Sequence, residues 1–114
     1  MPYLEPTLVV ASAARTTNGN SGVITPAGDG ETINFNVRVT AASGTTPSLA
    51  FSVEWSNDAT NFAVPETADT FTAITTTIER VKGFERKAKF YRLVWAITGT
   101  TPSFTFQVYE YMTA

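Results

Sequence analysis

Cysteine and histidine are both absent from this 114-residue chain. Without cysteine there is no disulfide framework, no thiolate metal site and no sulfur nucleophile. Without histidine the chain lacks the usual general base and the commonest metal ligand. Charge is scarce as well, at 16% charged residues and a net charge of −2, unlike the basic balance of specific nucleic-acid binders. No apolar run approaches the length of a membrane span. The start, Met1-Pro2-Tyr3-Leu4-Glu5-Pro6, lacks the positive region of a signal peptide. The chain therefore reads as one soluble module made without export processing.

Catalytic and metal-binding patterns are missing too. The ten carboxylates are scattered. Asp29 with Glu31, and Glu66 with Asp69, do not follow a calcium-loop spacing and read as turn and cap residues. The glycines at 19, 22, 28 and 30 do not sit between a strand and a helix, as a phosphate cradle requires. A serine or threonine nucleophile would have no histidine or well-placed lysine to activate it. Ser56-x-Asp58 before an aromatic is similar to part of the Asp-box hairpin of sialidases. The glycine and the Thr-Trp of that motif are lacking here, and its role is structural. The expectation is a protein that is not an enzyme and carries no cofactor.

Threonine is abundant, with 20 copies, and favours pleated, half-buried surfaces. Ile33, Phe35, Val37 and Val39 alternate with Asn34, Asn36, Arg38 and Thr40; Leu49, Phe51, Val53 and Trp55 alternate with Ala50, Ser52 and Glu54. Turn-rich segments such as RTTNGNSG at Arg15 to Gly22 punctuate these runs. About eight short strands with no helical period predict an all-β fold, an antiparallel β-sandwich or jelly roll. Residues 1–6 read as an extended proline-bearing arm and 7–114 as a single domain.

One stretch nearly recurs. Ser43-Gly44-Thr45-Thr46-Pro47-Ser48-Leu49-Ala50-Phe51-Ser52-Val53 returns 55 residues later as Thr98-Gly99-Thr100-Thr101-Pro102-Ser103-Phe104-Thr105-Phe106-Gln107-Val108, identical at seven of eleven positions. This reads as the same β-hairpin used twice. At that offset Asn36, Arg38 and Thr40 become Tyr91, Leu93 and Trp95, and Glu54 becomes Tyr109, with Tyr111 beyond. Two explanations stand: the second copy flips its register and buries Tyr91, Leu93 and Trp95, or Trp95, Tyr109 and Tyr111 form a partner-facing patch. The same exposed rings would suit a carbohydrate-binding module if polar groups lay beside them.

Charge is unevenly placed. Residues 1–79 carry two basic and eight acidic side chains, and residues 80–114 six basic and two acidic. Arg80, Lys82, Arg86, Lys87 and Lys89 crowd around Phe84 and Phe90. Such a cluster reads foremost as a solvated hairpin that discourages edge pairing, with docking on an acidic protein surface as the functional alternative. No nucleic-acid or membrane partner is expected.

The RTTNGNSG loop, VTAASGTTPSLAFSVEWSNDATNF at Val39 to Phe62 and YRLVWAITGTTPSFTFQVYEY at Tyr91 to Tyr111 resemble small β-sandwich virion proteins of tailed bacteriophages. That resemblance covers nearly the whole chain. It implies a capsid decoration protein, or another minor head, neck or tail component, made in the host cytoplasm and resident on the capsid surface. It also implies the major capsid protein and copies of this chain as partners, in a homo-oligomer on the particle. No catalytic residue transfers. The interface expected from the sequence comprises Tyr3, Leu4, Trp95, Tyr109, Tyr111, Arg86, Lys87 and Lys89, the arm reaching across to a neighbour.

Overall fold

A computed structural model describes residues 6–26 and 28–113. It contains β1 (Thr7–Arg15), β2 (Gly19–Asn20), β3 (Thr32–Ser56), β4 (Asp69–Thr70), β5 (Ile78–Glu85) and β6 (Phe90–Thr113). All pairings are antiparallel, and the fold is an all-β sandwich. Six strands stand where about eight were expected, because two are very long. β3 and β6 pair with each other from Thr32 opposite Thr113 to Ser56 opposite Phe90.

The repeated segments are accordingly not hairpins. Each Gly-Thr-Thr-Pro is a corner within a continuous strand, and the two corners face each other, with Ser43 opposite Ser103 and Thr45 opposite Thr100. The backbone is matched at both: Gly44 and Gly99 have φ of 112° and 121°, and Thr46 and Thr101 have φ of 46° and 47°. A Cβ on Gly44 would meet the Thr101 carbonyl oxygen at 2.8 Å, and one on Gly99 the Thr46 carbonyl oxygen at 2.8 Å. Each copy's glycine thus makes room for the other copy's chain. The duplication is an internal pseudo-two-fold, met at its own axis.

The corners divide the hydrogen-bonded network into two facing sheets. The first is β5, residues 32–42 of β3, residues 103–113 of β6, and β1. The second is residues 49–56 of β3 and 90–98 of β6, edged by β4 with bridges at Ala63 and Ile74 on one side and by β2 with Ile24 on the other. Their inner faces close on one aromatic core. Phe35 meets Tyr91 at 5.3 Å, while Phe106 meets Phe51 at 5.0 Å and Trp95 at 5.3 Å between ring centroids, all edge-on. Such pairs contribute about 0.5–1.5 kcal/mol each beyond the area they bury.

One inserted residue decides which side chains point inward. Val39 faces Phe106 but Ala41 faces Thr105, so Thr40 is the extra residue of a β-bulge. Side chains alternate with period two, so one extra residue exchanges the faces of everything before it. The repeat offset is 55 after the corner and 56 before the bulge, which matches Phe35, Val37 and Val39 with Tyr91, Leu93 and Trp95. All six are buried. The apparent conversion of a wet face into an apolar one is a register flip at these positions.

Candidate binding face

β3 and β6 carry the outer face of the first sheet in three cross-strand pairs: Asn34 with Tyr111, Asn36 with Tyr109, and Arg38 with Gln107. β5 extends two rows, placing Val81 beside Asn36 and Glu79 beside Arg38; β1 places Leu8 beside Tyr109. Apart from Leu8, which lies just outside it, these residues and Pro6 border an open groove of about 740 Å³. Large apolar side chains gather here. Leu8, Val81, Tyr109 and Tyr111 are 47%, 63%, 36% and 43% exposed, and only Val23 and Val64 are comparable elsewhere among the described residues.

Three polar side chains of the groove, Asn36, Arg38 and Gln107, are uncommitted among the described residues, in contrast to most of their counterparts elsewhere. Five of the six asparagines spend their side chains on internal hydrogen bonds, at Asn18, Asn20, Asn34, Asn57 and Asn61. Asn36 and the single glutamine, Gln107, make none among the described residues. Arg15, Arg80, Arg86 and Arg92 all bond carbonyls or a carboxylate, while Arg38 has no such partner among the described residues. Two amides and a guanidinium without a partner among the described residues therefore lie together beside Tyr109.

The second sheet's outer face carries an ion pair with a ring against it. Glu54 receives Arg92 at 2.6 Å, and the Phe62 ring lies 4.4 Å from the Arg92 guanidinium carbon.

Of the residues expected at an interface, Tyr109 and Tyr111 lie together on the open face. Trp95 does not. It is 6% exposed, packed against Phe51 and Phe106 and covered by Arg15, because the bulge register turns it inward. The basic cluster is largely spent inside the molecule. Arg86 donates to the Ala88, Gly28 and Lys89 carbonyls, tying down two loops. Lys87 pairs with Asp69 at 2.8 Å, whose carboxylate also receives Trp55 Nε1 at 2.9 Å. Lys89 is exposed beside the Phe90 ring. Arg80 and Lys82 brace the Thr72 and Thr70 carbonyls. Tyr3 and Leu4 lie outside the described residues.

Sequence reasoning recognised Asn36 and Arg38 as a wet strand face but did not join them to the tyrosines. Their neighbours across the strands are 69 and 73 residues away in the chain, and no local pattern encodes that pairing. Among the described residues no three aspartate or glutamate side chains converge as a metal site. No protein-family model matches the chain, and no curated protein is significantly similar to it.

Proposed function

We propose that this chain is a non-enzymatic structural module of a virion, a capsid decoration protein that attaches through the outer face of its first sheet. The observation that carries this reading is the concentration on that one face of exposed Leu8, Val81, Tyr109 and Tyr111 around uncommitted Asn36, Arg38 and Gln107. Tyrosine and arginine are the side chains that carry attachment energy at protein interfaces. The sequence resemblance to phage β-sandwich proteins supplies the setting, and the rigid two-sheet body suits repeated contacts on a shell. Binding the assembled shell in preference to free subunits stabilises it by mass action. A neck or tail component would use the same face at another place on the particle.

Co-sedimentation with particle fractions tests the reading. The protein is expected with filled heads, and Tyr109→Ser/Tyr111→Ser is expected to release it while leaving the fold intact. A second reading, a carbohydrate-binding module, is favoured by the free amides of Asn36 and Gln107 beside a tyrosine ring. Glycan retention on an array without head association would select it.

A further inference from the structure

The two halves of the chain build equivalent outer faces, and on the second one a ring covers the central ion pair. Allowing for the Thr40 bulge, Asn36–Tyr109 and Arg38–Gln107 occupy the places of Arg92–Glu54 and Val94–Ser52. The edges agree, since Thr7 faces Glu110 as Ala63 faces Trp55. On the second sheet the residue preceding that bridge is Phe62, whose ring caps the Arg92–Glu54 pair. On the first sheet it is Pro6, and a groove of about 740 Å³ stands open beside it.

We infer that the groove receives an aromatic side chain from a loop of a partner protein, which supplies between molecules what Phe62 supplies within this one. The inference rests on the reading of this face as the attachment surface and names what the surface takes. Arg38 is the electrostatic complement, because a guanidinium with no partner among the described residues is attracted to the electron-rich face of a ring. Val81, Tyr109 and Tyr111 provide apolar walls. Asn36 and Gln107 are free to bond the backbone of the loop that carries the ring. A saccharide would use the same amides, but the covering that this architecture displays on its own second sheet is polypeptide, led by a phenyl ring.

The test is selection of a random dodecapeptide display library on the immobilised full chain, with Asn36→Arg/Tyr109→Glu as control. That double variant installs the ion pair that sits under the ring on the second sheet. Enriched peptides are expected to share a phenylalanine, tyrosine or tryptophan. They should bind the control at least about tenfold more weakly, as for loss of a central interface residue, at an unchanged thermal midpoint. Pro6→Phe, which places a ring where Phe62 sits on the other sheet, is expected to weaken the same peptides. Should the double variant not fold, Arg38→Gln and Tyr109→Ser take its place. Enrichment without aromatic residues, equal binding to the variants, no enrichment, or retention of glycans in place of peptides would each overturn the inference. The selection involves no particle, so its failure and the failure of head association are read separately.

Discussion

At the scale of single residues, the core is aromatic yet holds a polar pair. The Tyr91 hydroxyl, fully buried, donates to Glu110 Oε1 at 2.6 Å. Burial first, and then the hydrogen bond and charge of Glu110, push the phenol well above its ordinary value of 10.0. The folded state therefore holds that proton more tightly than the unfolded chain. Its contribution to stability is complete below pH about 10 and declines as pH rises beyond that. Urea unfolding should show this alkaline decline flattened in Tyr91→Phe, which should also cost about 1–3 kcal/mol at neutral pH through the lost buried hydrogen bond. Exposed Asp58 shows the opposite sign. The backbone N–H groups of Asn61 and Thr60, then the Asn61 amide and Ser56 hydroxyl, hold its carboxyl well below the usual carboxylate range. The turn it caps should persist as pH falls through 3.8, the ordinary value, and loosen only in stronger acid. An NMR titration of the Thr60 and Asn61 amides checks this, and their movement near pH 4 would contradict it.

At the scale of elements, the corners and the bulge bear the architecture. Gly44→Ala and Gly99→Ala each place a methyl against the opposing backbone at positive φ, and should destabilise by more than the about 1–2 kcal/mol of left-handed strain alone. Thr46→Gly and Thr101→Gly relieve that strain and should leave the chain as stable or more so; thermal unfolding distinguishes the two sets. Deleting Thr40 is expected to be far worse than Thr40→Ala, since removing the extra residue sets Ile33, Phe35, Val37 and Val39 against the wrong face. Loss of the near-ultraviolet aromatic dichroism in the deletion alone would report it. The strands themselves were legible, because the alternation from Ile33 to Val39 and from Leu49 to Trp55 is a local, period-two signal. The repeat was legible as a duplication. Its meaning was not: whether Gly-Thr-Thr-Pro closes a hairpin or bends a strand depends on which distant segment pairs with it. A single unpaired threonine then shifts every comparison made at fixed offset, which is why the sequence left Trp95 open between a buried and a partner-facing place, and it lies inside.

At the scale of the whole molecule, the two sheets differ in what they leave unfinished. The second covers the centre of its outer face with Glu54, Arg92 and Phe62, whereas the first leaves Tyr109 and Tyr111 beside amides and an arginine that have no partner among the described residues. Tyr109 and Tyr111 were visible in the sequence as an excess of rings, but their companions Leu8, Asn36, Arg38, Val81 and Gln107 come from β1, β3, β5 and β6 and meet only through non-local pairing. The basic run at Arg86 to Lys89 drew attention because charge density is local. The structure spends Arg86 and Lys87 on loop carbonyls and Asp69, a use that sequence spacing does not encode. The attachment account is tested most directly by sedimenting wild-type protein and Tyr109→Ser/Tyr111→Ser with filled heads from gently disrupted particles. Wild type in the head fraction, with the folded double variant left in the supernatant, is the predicted result. Equal recovery of both proteins with heads, or of neither, would contradict it.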